Sequence, residues 1–502
     1  MSDVVALGGY VQAEGASSLD AVLAKVHQHR THLSRLMNAH DATRLVLGLL
    51  YLSRKAHANP GAGVPTWSWL LGQSAERGSG IRAAVSKCLS HWLPAADEQD
   101  PDVGTRSLMP VPPSGSEGSL HALIQAIGST QLVRPLLDRC LRDLSADQAQ
   151  ADGSHYFTPD DMARLMVGAA VPRDGHRVLD PVCGSGGLLV ESHRYVRERV
   201  GLDPTMSLQG KEQHAHTSQV ARMNFAVRGI TAHVFPPGDS LAEPEPEPYD
   251  IVLANLPFNQ RNWALEGEAE QTRQSGLAVP VDPRWPEEPP SLGSANPAWI
   301  QHIAHALAPS GRAVFLMADK MANSRQPVTR RLRQRLLRDD LVECVIALPP
   351  RVFGQSKAPA CLWVLNKDKS ARPGWGTRDR RQQVLFVNAR RAFEPVPDSR
   401  ARRLGDKNTA LILTTLAAWR GLSENGATAS PYNDTAGWSR SCSTKEIADH
   451  ESSLMPTSYA VEPPSPERDT RSRVEQLKLE LADQLDQMRV LELRLLDVLE
   501  EI

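Results

Sequence analysis

From about residue 155 onward, short apolar runs alternate with helical stretches, and that alternation leaves few folds open. The runs 176–180 (HRVLD), 208–212 (LQGKE), 232–235, 249–255 (YDIVLAN), 313–317, 341–348 and 360–365 are bounded by turn residues and predict seven strands. Helical patterns occupy 159–170, 187–200, 216–228, 299–307 and 327–338, between most of those strands. A parallel strand pair needs a crossover of about a dozen residues, usually a helix. The repeat therefore predicts an α/β fold: a mostly parallel sheet with helices on both faces. Only 349–359 separates the last two runs, so the final strand should pair antiparallel with the one before it.

The flanks read differently. Residues 1–150 carry helical periodicity over 19–37, 43–52, 81–93 and 120–144, broken by Gly/Pro-rich stretches at 59–65 and 110–118. They predict a helical N-terminal domain for assembly or partner binding, with no chemical site. The sheet segment spans 151–370. An Arg-rich, less regular extension and linker follows over 371–465, and a final helix over 466–502. In that helix Val474, Leu477, Leu481, Met488, Leu491, Leu495, Val498 and Ile502 recur at heptad spacing, which predicts a coiled-coil-like arm for self-association or attachment to another subunit. An amphipathic helix folded back on its own domain is the alternative. Two tracts read as surface loops: 243–248, and 266–290, which is long enough for a lid.

Several classes are excluded. No apolar run approaches the ~20 residues of a spanning helix, and 45–52 is the longest candidate, so no membrane association is expected. The first residues lack the basic-then-apolar pattern of a secretory signal. The six cysteines are scattered without a CxxC pair, so no metal site and no disulfide framework is expected, and a cytoplasmic setting fits. With 56 Lys+Arg against 58 Asp+Glu the net charge is −2, so any nucleic-acid contact must use local patches or a partner. Arg330, Arg331, Arg333, Arg335 and Arg338 form one such cluster. Arg378, Arg380, Arg381, Arg390, Arg391, Arg400, Arg402 and Arg403 form another. Each reads either as a DNA-backbone contact or as a solvated face.

The sharpest chemical signal is Val178 to Gly187, VLDPVCGSGG. An apolar strand ends at Asp180 and a Gly-rich turn opens a helix. Gly184 and Gly186 let the backbone approach a ligand and adopt dihedrals closed to other residues. The acid precedes the glycines, which suits a ligand bearing an amine and a carboxylate better than a pyrophosphate. A tight structural turn would look the same. Two further acids point the same way: Glu212 closes the next strand and is placed to accept from ribose hydroxyls, and Asp239 follows the third strand, within reach of an adenine amine. Taken singly, each is an ordinary loop acid. Three at successive strand ends match the carboxyl edge where such sheets bind ligands.

The fourth strand ends in Ala254-Asn255-Leu256-Pro257-Phe258. An aromatic amine is a poor nucleophile because its lone pair is delocalised. Asn255 can accept one amine hydrogen through its side-chain carbonyl, and the Leu256 carbonyl can accept the other, aiming the lone pair at an incoming carbon. Phe258 can stack on a flipped-out base. A strand-end turn with a core Phe is the structural alternative.

Together these segments resemble the N6-adenine DNA methyltransferases, specifically the modification subunit of type I restriction–modification systems. The likeness follows Tyr156-Phe157-Thr158-Pro159, DPVCGSGG, Gly210-Lys211-Glu212, GDS and ANLPFN, then 299–302, 311–313, 347–354, 361–366 and 384–390. It implies a Rossmann-like methyltransferase sheet with an antiparallel last strand, and S-adenosylmethionine as cofactor. By motif position Tyr156, Phe157, Thr158, Pro159, Asp180, Cys183, Gly184, Ser185, Gly186, Glu212, Asp239 and Asn255 would bind the cofactor. Asn255, Leu256, Pro257 and Phe258 would hold the adenine. Direct methyl transfer needs no nucleophile or base, so Cys183 and His302 should be neither. Double-stranded DNA, a separate sequence-specificity subunit and a restriction nuclease subunit are the implied partners. The family has Pro where this chain has Leu256, which keeps the carbonyl but loses a fixed φ. That departure keeps a second reading open, a catalytically weak or inactive scaffold. Methylation of another planar amine or amide, an RNA base or a protein glutamine, is a third.

Overall fold

The computed structural model describes residues 8–462 apart from 56–63, 77–79, 94–108, 130–132, 153–157, 259, 261–262, 264–281, 287–289, 291–292, 353–358, 373–374, 397–400 and 423–430. Beyond 462 it describes only Lys478 and Leu481. The expected coiled-coil arm, Tyr156, Phe157 and most of the 266–290 loop lie outside the described residues.

All seven expected strands are present. They are β1 (Arg177–Asp180), β2 (Ser207–Gly210), β3 (His233–Val234), β4 (Tyr249–Asn255), β5 (Leu307–Ala318), β6 (Val342–Ala347) and β7 (Ala360–Asn366). The sheet has nine strands rather than seven. The Arg-rich stretch supplies β8 (Gln383–Asn388) and, after the small antiparallel ribbon of β9 (Glu394–Pro395) and β10 (Arg402–Arg403), β11 (Ser439–Ser443). Strand order is β11-β8-β6-β7-β5-β4-β1-β2-β3. β7 lies antiparallel between β5 and β6, as the short 349–359 connection requires, and β11 runs antiparallel to β8. β8 was hidden in the sequence because its four central residues are all buried, which erases the period-two alternation of a half-buried strand.

Strand residues alternate between two cores. Val178, Ile251 and Leu253 face one core, closed by helices 160–170, 187–200, 215–228 and 406–420. Leu179, Val252 and Ala254 face the other, closed by helices 296–306, 320–323, 327–338 and 444–449. The N-terminal helices build a third core, which Val220, Met223 and Val227 of helix 215–228 also enter. The expected continuous helix over 120–144 is two, Glu117–Gly128 and Val133–Asp152. A Cβ on Gly128 would come within 2.7 Å of Leu71, so this glycine is where the first of them crosses helix Trp67–Ala75, which the sequence pattern did not reveal. No helix among the described residues is long and apolar enough to cross a membrane.

One buried ionic group pins the sheet to the helix that precedes β1. Glu343 on β6 accepts from Arg312 on β5 (2.9 Å), from Arg420 (3.0 and 3.1 Å) and from Arg380. Arg312 and Arg420 also donate to the carbonyls of Ala170 and Ala169, at the C-terminal end of helix 160–170. There the helix dipole favours cations, which helps one carboxylate hold three guanidiniums away from water. Of the Arg clusters read as DNA contacts or solvated faces, Arg380 and Arg333 are therefore neither. Arg333 is buried and donates to the carbonyls of Ser452, Met321 and Ser324.

Candidate active site

β1 and β4 are neighbours, and the chain leaves β1 toward β2 and β3 on one side while β4 and β5 lie on the other. This reversal opens a crevice at the carboxyl ends of the two strands. Thr158, Asp180, Cys183, Ser185 and Asn255 line one cleft there, with Val182, Gly187 and Leu188. Residues expected from three separate motifs thus meet in one place.

The turn after β1 is held from several directions. Gly184 and Gly186 both have positive φ, 54° and 84°. A Cβ on Gly186 would lie 2.4 Å from Cζ of Phe225, so both the backbone conformation and the space demand glycine. The Cys183 amide donates to the Lys211 carbonyl (2.8 Å), and the Gly184 amide donates to Glu212 Oε2 (3.1 Å). Glu212 Oε1 accepts from the His214 amide at 2.9 Å. Glu212 thus ties the end of β2 to the glycine turn, and each oxygen keeps a further acceptor site. Asp239 is exposed at the rim, and the next residue, Ser240, donates to the Pro181 carbonyl at 2.5 Å. Neither Glu212 nor Asp239 lines the cleft itself.

Asp180 is 1% exposed, and the Val182 amide donates to its Oδ1 at 3.1 Å. Burial pushes its carboxyl up to about 8, against that hydrogen bond and with help from the charge of Glu212. Asp180 is therefore largely protonated near neutral pH until a hydrogen-bond donor or a cation reaches it.

Asn255 ends β4 half-buried, and its Nδ2 donates to Thr158 Oγ1 at 3.1 Å. Its Oδ1 is left as the acceptor. Pro159 stands at the N-cap of helix 160–170 and contributes backbone geometry only. Leu256 is 3% exposed and belongs to the second core, so packing restricts the turn that a proline ring would otherwise fix. Pro257 and Phe258 are half-buried, and the Phe258 ring touches both cores.

Cys183 and His302 are occupied elsewhere. Burial pushes the Cys183 thiol far up, so it is no nucleophile at neutral pH. His302 is buried beside Glu245, with Nε2 3.2 Å from Oε1. Arg284 donates to its Nδ1 at 3.2 Å, so the ring proton sits on Nε2 and burial favours the neutral imidazole. Lys211 Nζ reaches the same Oε1 at 2.9 Å. Glu245 lies in the tract read as a surface loop, yet its side chain is buried, where the Lys211 ammonium offsets its charge. Among the described residues, no three His, Cys, Asp or Glu side chains are grouped to hold a metal.

The sequence reading missed Asn224. It is 2% exposed on helix 215–228 and donates to the Ser185 carbonyl at 2.8 Å. An asparagine among apolar helix residues was the available signal.

The family model described as N-6 DNA Methylase matches residues 138–468. Over 363 residues the chain is 31% identical to the HindI methylase subunit, a type I restriction enzyme component of Haemophilus influenzae, covering 68% of this chain and 75% of that one. It is 30% identical over 281 residues to the MjaVIII methylase subunit of Methanocaldococcus jannaschii, covering 52% of this chain and 44% of that one. The crystal structure of a type I restriction–modification methyltransferase subunit from Streptococcus thermophilus superposes with a TM-score of 0.68 at 18% identity, covering 88% of this chain and 99% of that one, a likeness of fold.

Proposed function

The chain belongs to the N-6 DNA methylase family and is an adenine-N6 DNA methyltransferase of the restriction–modification kind; on that premise we propose that the cleft between β1 and β4 seats S-adenosylmethionine as cofactor against a target adenine held by Asn255. The observation that carries this reading is the meeting of Asn255 with Thr158, Asp180 and Ser185 around one cleft.

The residues present fit the cofactor. The cradle at Gly186 admits no side chain, and the first amides of helix 187–200 face a site where a carboxylate is favoured. Asp180, Glu212 and Asp239 offer acceptors to an ammonium, to ribose hydroxyls and to an adenine amine. Bound there, S-adenosylmethionine supplies an electrophilic methyl group on a sulfonium. Asn255 Oδ1 and the Leu256 carbonyl accept the two hydrogens of the target amine and turn its lone pair toward the cofactor side of the cleft. Phe258 stacks on the extruded base. Asn255 and Leu256 hold the nitrogen in place to take up the cofactor's methyl, and the displaced amine proton would pass to solvent. Orientation and desolvation by these groups supply the rate enhancement, with no covalent enzyme intermediate.

Double-stranded DNA is the substrate of this reading. A sequence-specificity subunit and a restriction subunit are its assembly partners, and the 466–502 helix is the attachment or self-association arm. The division into 1–150, 151–370, 371–465 and 466–502 belongs to the same proposal. Expressing the chain with its specificity subunit in a methylation-free host, then mapping N6-methyladenine across the genome, tests it. A modified motif that disappears with Asn255→Ala supports the assignment, and modification that persists in Asn255→Ala overturns it.

A further inference from the structure

Helix 215–228 lies between two layers. Ala221 and Phe225 pack into the core beneath the sheet, and Val220, Met223 and Val227 pack into the core of the N-terminal helices. Two of its residues reach the glycine turn: Phe225 fills the space over Gly186, and Asn224 Nδ2 donates to the Ser185 carbonyl at 2.8 Å. That carbonyl lies just outside the helix hydrogen-bond series, which begins where Val190 donates to Gly186.

The orientation of the Asn224 amide is fixed at both ends. A backbone carbonyl can only accept. Arg228 Nε, 2.7 Å from Asn224 Oδ1, can only donate. Arg228 in turn pairs with Asp138 on helix 133–152, and its own carbonyl accepts from Arg134 at 3.2 Å. A polar line thus links Asp138 to Ser185: Arg228 donates both to Asp138 and to Asn224, and Asn224 donates onward to the carbonyl of Ser185, which lines the cleft.

We propose that Asn224 is a positioning residue for the cofactor turn, and that Asp138, acting through Arg228, makes cofactor affinity depend on how the N-terminal helices are seated. The proposal rests on the reading that S-adenosylmethionine occupies the cleft beside this turn. Left-handed glycines on either side of Ser185, Gly184 and Gly186, let the turn take other shapes once the Ser185 carbonyl is released. Coupling of this kind is reciprocal: the bound cofactor tightens the seating of helix 133–152, and a partner that shifts that helix changes cofactor affinity.

The test is calorimetric titration of the full-length chain with S-adenosylmethionine. Asn224→Ala binds about tenfold more weakly, and Asp138→Ala about fivefold. The double variant binds no more weakly than Asn224→Ala alone, because both act on one line. Asp138→Glu, which keeps the carboxylate, stays near wild type. The Asp138 side chain is 44% exposed, so Asp138→Ala keeps the question open to measurement should Asn224→Ala fail to fold. Wild-type affinity in Asp138→Ala, or losses that multiply in the double variant, overturns the coupling. Asp180→Ala separates the two readings. If it abolishes binding while Asp138→Ala leaves it unchanged, only the coupling fails. If wild type and Asp180→Ala bind alike or not at all, the cofactor seat fails and the coupling with it.

Discussion

The side-chain nitrogen of Asn255 donates to the hydroxyl of Thr158 across 3.1 Å, joining residues 97 positions apart. One comes from the end of β4 and the other from the segment just before helix 160–170, whose far end is held by Arg312 and Arg420. The contact commits the donor end of the Asn255 amide and leaves the acceptor end for the substrate amine.

Thr158→Val keeps the shape of the side chain and removes that partner. The valine variant should lose about 10- to 100-fold in kcat, because a small misplacement of a reacting group is costly, with a smaller change in cofactor KM. Thr158→Ser should recover most of the rate. Initial-rate measurements on the complex with its specificity subunit check this, and an unaltered kcat in the valine variant would count against the positioning role.

Asp180 carries a pH signature. Burial raises its folded value to about 8 from an ordinary 3.8. Between those limits the folded chain holds a proton that the unfolded chain has released, so this group's contribution to stability falls as pH rises across the window. Asp180→Asn should remove that slope, melt higher than wild type at the alkaline end, and bind cofactor more weakly. Thermal melts over the pH series decide it. Parallel profiles for the two proteins would contradict the assigned shift.

Gly186→Ala meets two penalties. A φ of 84° costs a residue with a Cβ roughly 1–2 kcal/mol, and the new methyl collides with Phe225. Cofactor affinity should drop by about tenfold or more. Adding Phe225→Leu should recover only part of the loss, because it opens space without relieving the backbone. Full recovery in the double variant would show that crowding alone mattered.

Glu343 should be the most sensitive charge in the sheet. Burial pushes its carboxyl up, but Arg312, Arg420 and Arg380 outweigh that and hold it well below 4.5. Its stabilisation is therefore complete above that pH and is lost only as pH falls toward the depressed folded value. Glu343→Gln leaves three buried guanidiniums without a counter-charge and should cost about 3–5 kcal/mol. Denaturant melts measure this directly, and a loss under about 1 kcal/mol would mean that helix carbonyls alone suffice.

Much of the architecture was legible in the chain. The seven apolar runs of the 151–370 segment became seven strands, because their period and length are local properties that neighbours in sequence carry by themselves. The 349–359 loop was too short for anything but an antiparallel return. VLDPVCGSGG marked a strand, a left-handed turn and a helix start for the same reason, since only glycine accepts those dihedrals cheaply. β8 and β11 escaped notice because one is buried at its four central positions and the other is a largely polar edge.

What the chain could not reveal was which side chains meet. Arg380 and Arg333 look in sequence like their exposed neighbours, and only the packed sheet and helices take them out of water and pair them. Asp180 is an acid after a strand until burial raises its proton affinity. Thr158 and Asn255, or Asp138 and Ser185, share no local pattern at all. Residue spacing decides which elements form because backbone periodicity is local. Contacts, desolvation and charge pairing are set by distances through space, and those exist only once the layers have closed.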